Sequence, residues 1–199
     1  LAYALKAAAE SQCIDRMVLK TDDENIANVG RQYGAEVPFV RPKSLGGDSV
    51  PLISVSQHTM QMMDEKNFRA DIVVQLAPTC PFISSERISQ SIELISDYGC
   101  DSAVSLQRIE HSHPYRARIL DKNGYFENFI SDIDVESIHS RQDLPVLYCT
   151  SGGLYTRKRE LLEQYDGTDF ALGEKRKGIV VDDYEAINID RLIDFEFAE

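Results

Sequence analysis

A short buried-strand pattern followed by two closely spaced prolines constrains this chain more than any other feature. The apolar run 72–74 is typical of a strand covered on both faces of a parallel sheet. Gln75 then stands at the polar end of the strand, and Pro78 and Pro81 force the chain into a rigid, non-helical turn. Ligands bind at such junctions in open α/β sheets, so we expect the floor of an active site here. The same periodicity also suits an ordinary βα loop.

Helix and strand patterns alternate on both sides of this stretch. Helices are predicted over 1–10, 24–33, 51–66, 86–97, 157–164 and from about 190 onward. Strands are predicted over 16–21, 70–76, 102–106, 152–156 and 178–182. This alternation predicts right-handed βαβ crossovers and an α/β fold with a doubly wound, mostly parallel sheet. A length of 199 residues suits one domain, 1–199.

The alternation is interrupted between residues 110 and 150. The segment Asp121–Gly124 is a strong hairpin signal, and no helical periodicity surrounds it. We therefore expect an antiparallel arm, 110–150, inserted into the domain. An isolated hairpin cannot bury its own apolar face, so this arm is expected to pack on a second copy in a two-fold homodimer.

The charge balance narrows the classes of partner. Asp and Glu number 33 against 21 Lys and Arg, for a net charge of −12, which argues against binding to nucleic acid. An anionic substrate must then meet local arginines or a metal ion. No apolar run reaches the roughly 20 residues that span a membrane. We therefore expect neither a membrane span nor a secretory leader. The four scattered cysteines fit reduced thiols in the cytoplasm.

Five segments, taken in order, resemble those of the acylneuraminate (CMP-sialic acid) cytidylyltransferases. They are Thr21-Asp-Asp-Glu-Asn-Ile-Ala, Tyr33-Gly-Ala-Glu-Val-Pro-Phe-Val-Arg-Pro, Val74-Gln-Leu-Ala-Pro-Thr-Cys-Pro-Phe, Arg141-Gln-Asp-Leu-Pro and Asn188-Ile-Asp-Arg-Leu-Ile-Asp-Phe. Cys80 stands where the family usually has serine, and Phe82-Ile83 where it has Leu-Arg. The resemblance implies a Rossmann-like nucleotidyltransferase fold.

The family's reaction joins CTP to a 2-keto sugar acid and gives a CMP-sugar and pyrophosphate, with Mg²⁺ as the cofactor. This is a nucleotide-sugar synthesis step, and the resemblance implies that its product serves lipopolysaccharide or capsule biosynthesis. The sugar's anomeric hydroxyl attacks the α-phosphorus, so the protein supplies alignment and charge stabilisation. A magnesium ion held by one or two carboxylates and phosphate oxygens suits that chemistry.

The resemblance assigns the metal site to Asp190, which matches the second aspartate of the family's Asp-x-Asp motif. We expect this carboxylate to hold Mg²⁺ and to be essential for catalysis; its alternative role is to cap the last helix. The first aspartate of the motif is Asn188 here, which offers only a carbonyl oxygen. Asp194 is expected to be structural.

The resemblance also assigns contacts to the two substrates. On the nucleotide side they are Arg41, Ser49, Pro78 and Thr79, and on the sugar side Gln75, Arg116, Arg141 and Ser151. Arg141 is expected to reach the sugar carboxylate from the partner subunit's arm, because guanidinium binds carboxylate in bidentate fashion. Solvated surface charge is the alternative for the arginines.

Two departures from the family affect the interpretation. Cys149-Thr150-Ser151 replaces the family's Arg-x-Asn, so a Kdo, legionaminic or pseudaminic type of acid competes with sialic acid as the substrate. The sequence also begins after the family's glycine- and lysine-rich phosphate loop, so we expect the chain as written to have little or no transferase activity. A ligand-binding relative without catalysis is the alternative function, and a receiver-like signalling domain fails on length and on the inserted arm.

Overall fold

The computed structural model describes residues 1–42, 46–47 and 50–198. Its helices are α1 (Ala2–Glu10), α2 (Glu24–Gln32), α3 (Leu52–Asp64), α4 (Ser85–Ser96), α5 (Arg159–Glu163) and α6 (Leu192–Ala198). Its strands are β1 (Ile72–Leu76), β2 (Ser102–Arg108), β3 (Arg118–Leu120), β4 (Phe126–Asn128), β5 (Tyr148–Lys158) and β6 (Arg176–Val181). None of the helices in these ranges has the length and apolar character needed to cross a bilayer.

The main sheet has four strands in the order β1-β5-β2-β6. Strand β2 pairs in parallel with β6, and β5 lies antiparallel between β1 and β2. Three of the four strands therefore run in one direction, and the long β5 runs against them. This mixed sheet confirms the predicted α/β fold and adds an antiparallel strand at its centre.

Helices cover both faces of this sheet, as a doubly wound fold requires. On one face, α1 and α4 pack against the strands through a cluster that includes Ala8, Ile88, Leu154 and Ile179. On the other face, α3 and α5 enclose a smaller cluster of Ile53, Met60, Leu162 and Ala171. The fully buried Leu154 lies at the centre of the larger cluster.

The segment 16–21, predicted as a strand, forms only one isolated bridge. Val18 pairs with Glu36, and the segment does not join the ladder of β1. Cavities lined by both Val18 and Ile72 lie between the two segments, so the backbone groups needed for a ladder do not meet. The prediction of a full strand here is therefore wrong, although its apolar pattern does mark a segment that faces the sheet.

The predicted hairpin of the inserted arm is present. Strands β3 and β4 form a separate two-stranded sheet, and the N–H groups of Asn123 and Tyr125 donate to the Asp121 carboxylate in the turn between them (2.8 and 2.9 Å). Several large apolar side chains of this arm are exposed, among them Leu120 (68 %) and Phe126 (69 %). The arm thus presents an apolar surface to its surroundings.

The Asp101 carboxylate ties three strands together where β2 begins. It accepts hydrogen bonds from the N–H of Lys175 (2.9 Å), the N–H of Glu174 (3.1 Å) and the Lys158 ammonium (2.9 Å). The residues that donate lie at the end of β5 and just before β6. These donors, the Lys175 N–H foremost, lower the pKa of Asp101 to about 2.

We expect Asp101→Asn to be less stable than the wild type at pH 7, with a difference that disappears in acid. The unfolded carboxyl titrates near its ordinary pKa of 3.8 and the folded one near 2, so the stabilisation is complete above the unfolded pKa and is lost as pH falls from about 4 to about 2. Urea denaturation midpoints at several pH values measure it. A difference that stays constant from pH 7 down to the acid range would contradict this role.

Candidate active site

The turn after β1 is built by Pro78 and anchored to β5. The Cys80 N–H donates to the Ala77 carbonyl (3.0 Å), which closes a four-residue turn with Pro78 in its second position. The Ala77 N–H in turn donates to the Gly153 carbonyl of β5 (3.0 Å). Pro78 and Thr79 are exposed at the tip of this turn, where both were predicted to line a cleft.

Close packing at Gly153 holds the turn against the sheet. A Cβ atom at Gly153 would lie 2.9 Å from the Cβ of Cys80 and 2.8 Å from the Cγ1 of Ile83. Real side chains do not approach so closely, so the turn occupies the space that a side chain at position 153 would need. Cys80 is buried by this contact.

A cavity of about 510 Å³ opens beside β1 and its turn. Four of the predicted substrate contacts line it: Arg41, Gln75, Pro78 and Thr79. Its other walls come from α3 and from the segment 16–20. The structure therefore brings together three of the four residues predicted on the nucleotide side and Gln75, which was predicted on the sugar side. Ser49, also predicted on the nucleotide side, lies outside the described residues.

Gln75 faces α3 across the cavity. Its Oε1 atom accepts a hydrogen bond from the Ser56 hydroxyl (3.3 Å). The same hydroxyl lies 3.2 Å from the Leu52 carbonyl. The contact with Ser56 orients the Gln75 amide, whose NH₂ group is of a kind that can donate to a ligand.

Arg41 reaches the cavity while its guanidinium is paired with Asp22. The Arg41 Nη2 atom lies 2.5 Å from Asp22 Oδ1. The Arg41 Nε atom is buried and has no hydrogen-bond acceptor among the described residues. A buried N–H without an acceptor is costly, and a ligand oxygen would satisfy it.

Lys20 also lines this cavity, and the sequence patterns did not single it out. Its Nζ atom donates to the Val55 carbonyl (3.2 Å) and lies 5.8 Å from the centre of the Phe39 ring. Burial, together with the positive charge of Arg41, lowers the pKa of Lys20 from 10.5 to about 8. The signal that could have found it is a lysine ending the apolar run 17–19.

A second group of predicted residues lies on the other side of Thr79. The Ile189 N–H donates to the Thr79 carbonyl (2.8 Å), which fixes the segment 187–190 against the turn. Asp190 is exposed there, and its Oδ2 atom accepts from the Asn188 amide (2.9 Å). Asp190 does not line the 510 Å³ cavity itself but borders the turn that forms one of its ends.

Cys80 connects this group to β5. Its sulfur lies 3.5 Å from the Asn188 Oδ1 atom and 3.7 Å from the Ser151 carbonyl oxygen. Desolvation raises the pKa of the Cys80 thiol, so the neutral form is favoured. The hydroxyl of Ser151, predicted as a sugar contact, is buried 2.6 Å from the Ser105 hydroxyl. Ser151 thus supports the strand pair beneath the site.

Asp194 has the structural role expected of it. Its Oδ2 atom accepts from the N–H groups of Asp190 (3.3 Å) and Arg191 (2.8 Å), just before α6 begins. This cap leaves the Asp190 side chain available at the rim. In the part of the chain that the structure describes, no three His, Cys, Asp or Glu residues converge on one point, so a cation here would depend on few protein ligands.

The two arm arginines assigned to the sugar, Arg116 and Arg141, do not line the 510 Å³ cavity of their own chain. Arg141 lines a smaller cavity of about 210 Å³ and pairs with Glu110 (3.1 Å). Arg116 is exposed in a short 3₁₀ turn. His113 is buried there, with its Nε2 atom 3.1 Å from the Pro145 carbonyl oxygen, and so packs within the arm.

Comparison with known proteins places the whole chain in one sequence family. The profile of a family described as cytidylyltransferase matches residues 1–198. A pseudaminic acid cytidylyltransferase of Campylobacter jejuni subsp. jejuni serotype O:2 is 30% identical over 203 residues, which cover 100% of this chain and 83% of that protein. N-acylneuraminate cytidylyltransferase A of Danio rerio is 26% identical over 199 residues, 100% of this chain and 44% of that protein.

The fold also matches a solved structure. A CMP:2-keto-3-deoxy-manno-octonic acid synthetase complexed with CTP superposes with a TM-score of 0.56 over 90% of this chain and 79% of that chain. At 14% sequence identity, this likeness concerns the architecture alone.

Proposed function

Because the chain belongs to the cytidylyltransferase family and is a nucleotidyltransferase, we propose that it transfers the cytidylyl group of CTP to a 2-keto sugar acid. The products are a CMP-sugar and pyrophosphate. The observation that carries this proposal is the convergence of Arg41, Gln75, Pro78 and Thr79 on one cavity, with Asp190 at the adjoining rim.

The proposed roles follow from the chemistry of each side chain. Arg41 binds the nucleotide through its guanidinium, whose buried Nε–H needs an acceptor. The exposed turn of Pro78 and Thr79 forms a rigid wall on the nucleotide side, and the Gln75 amide holds a sugar hydroxyl or carbonyl. The anomeric hydroxyl then attacks the α-phosphorus and pyrophosphate leaves in line, a step that depends on orientation more than on covalent help.

Magnesium is the cofactor in this proposal. Asp190 would hold it, with Asn188 offering a carbonyl oxygen nearby. The exposed Asp190 carboxylate fits a Mg²⁺ ion, because that ion commonly takes only one or two protein carboxylates together with phosphate oxygens and water. When bound, Mg²⁺ neutralises phosphate charge and orients the triphosphate.

The sugar site extends to a second subunit in this proposal. The exposed apolar face of the arm, including Leu120 and Phe126, suits a homodimer interface formed by residues 110–150. Arg116 and Arg141 would then contact the sugar acid from the partner's arm.

The four free thiols suit the reducing cytoplasm, which we propose as the location of the protein.

Sialic, pseudaminic, legionaminic and Kdo acids are the candidate sugars. A relative named for pseudaminic acid covers the chain at 30% identity, and the buried Ser151 hydroxyl is bonded to Ser105 and so cannot readily bind an acyl group. Both observations favour an acid other than sialic acid itself.

We expect the full-length protein with CTP and Mg²⁺ to release pyrophosphate with at least one of these four acids and to need the metal. A coupled pyrophosphate assay across the panel, with and without EDTA, measures this. UTP and ATP serve as nucleotide controls.

The alternative function is ligand binding without turnover, which the replacement of the motif's first aspartate by Asn188 favours. Calorimetric CTP binding with no pyrophosphate release for any of the four acids would select it. Absence of CTP binding together with absence of turnover would overturn both functions.

A further inference from the structure

Four basic side chains line the 510 Å³ cavity, and they differ in their partners. Arg16 is paired with Glu36 (2.7 Å), Arg41 with Asp22, and Arg159 with Asp64 and with Glu163 (2.6 Å). Lys20 is paired with no carboxylate among the described residues; its ammonium meets a backbone carbonyl. It is thus the cation in this cavity whose charge is least compensated.

Buried nitrogen atoms near Lys20 also lack a hydrogen-bond partner among the described residues. Two of the buried nitrogens without a hydrogen bond among the described residues are Arg41 Nε and His58 Nδ1. His58 packs edge-on against Phe39, 5.7 Å between ring centres, and the Lys20 ammonium lies near the same ring. Nitrogen atoms from three different segments therefore lie near one another, and two of these residues, Lys20 and Arg41, line the cavity.

We propose that Lys20 is a nucleotide-binding residue that contacts a phosphate group together with Arg41. This inference rests on the proposed function, since it names a further contact in the same site. A phosphate oxygen between Lys20 and the Arg41 Nε–H would compensate the lysine and satisfy the buried nitrogen at once. A triphosphate carries more negative charge than the other anionic groups that this cavity could bind. It therefore interacts most favourably with two adjacent cations.

The proposed contact predicts that Lys20 takes up a proton when the nucleotide binds. The groups around Lys20 are Arg41 and Asp22, His58 of α3, and the paired Arg16 and Arg159. Burial and the Arg41 charge hold the pKa of Lys20 at about 8 without ligand, and a phosphate beside the ammonium restores a higher value. Binding of the nucleotide is therefore accompanied by uptake of a proton by Lys20 above pH 8.

The test is calorimetric titration of the full-length protein with CTP at pH 8.5 in buffers of different ionisation enthalpy. The wild type should take up roughly 0.7 proton per nucleotide, if the pKa of Lys20 returns to about 10. Lys20→Met should lose this uptake and bind CTP about 10- to 100-fold more weakly. Lys20→Arg should keep the affinity and lose the uptake, because arginine stays charged.

Controls separate this contact from general effects of charge and folding. Lys66→Met removes an exposed lysine at the end of α3 and should behave as the wild type does. Inorganic tripolyphosphate should show the same loss with Lys20→Met as CTP does; a loss confined to CTP would overturn the phosphate contact. If Lys20→Met fails to fold, Lys20→Arg decides, since proton uptake equal to that of the wild type would overturn the proposal.

The results also distinguish this inference from the proposed function on which it rests. If Lys20→Met binds CTP as tightly as the wild type and takes up as many protons, Lys20 is not a nucleotide contact and the proposed function stands. If the wild type itself does not bind CTP, the proposed function and this inference fall together.

Discussion

Replacing Asp190 by asparagine is expected to lower cytidylyl transfer by roughly 100- to 1,000-fold, the loss typical when one group that stabilises transition-state charge is removed. In the proposed site its carboxylate is the one anionic ligand for Mg²⁺, and Asn188 beside it is already neutral. The substitution keeps the shape of the side chain, so the fold should be retained. Pyrophosphate release at saturating CTP and varied Mg²⁺ measures the loss.

Glu196→Gln is the matched control for Asp190→Asn. Glu196 is an exposed carboxylate on α6. Its replacement changes the net charge by the same amount as Asp190→Asn does, but leaves the turn of Pro78 and Thr79 unaltered. Full activity in this control is expected. If Asp190→Asn retained more than a tenth of the wild-type rate with normal Mg²⁺ dependence, Asp190 would not be the metal ligand.

Leu154→Ala is expected to lower the free energy of unfolding by about 2–5 kcal/mol, the range for a large-to-small change in a packed core. Leu154 is 0 % exposed and pairs with Leu76 across the β1–β5 ladder. It belongs to the same cluster as Ile88 and Ile179, so the cavity left behind would be bounded by α4 and by β6 as well. Urea denaturation of the purified protein measures the change.

The control for this substitution is Leu192→Ala. Leu192 begins α6 and is 74 % exposed, so the same chemical change should alter stability by less than about 0.5 kcal/mol. Equal effects of the two substitutions would show that Leu154 is not at the centre of the core.

Local patterns predicted most elements of this fold, because they depend on neighbours in sequence. The apolar run before Gln75 became β1, the helical pattern over 86–97 became α4, and Asp121–Gly124 became a hairpin turn. The position of β5 between β1 and β2 was not predicted. Strands β1 and β5 are about 80 residues apart in sequence, and pairing between such distant segments leaves no signal in the local pattern of either one. The same limitation explains the error over 16–21.

The resemblance to a known family predicted four residues that the fold brings to one cavity. Arg41, Gln75, Pro78 and Thr79 were expected together and do line one cavity. Lys20 was missed because its significance comes from the burial of its ammonium beside α3 and from the charge of Arg41, 21 residues away in sequence. Only the folded chain brings these groups together.

The tight fit at Gly153 links two positions that are distant in sequence. A Cβ atom at position 153 would come within 3.0 Å of both the Cys80 Cβ and the Ile83 Cγ1, so an alanine there requires both neighbours to give way. Substitutions at 80, 83 and 153 should therefore be inherited as sets.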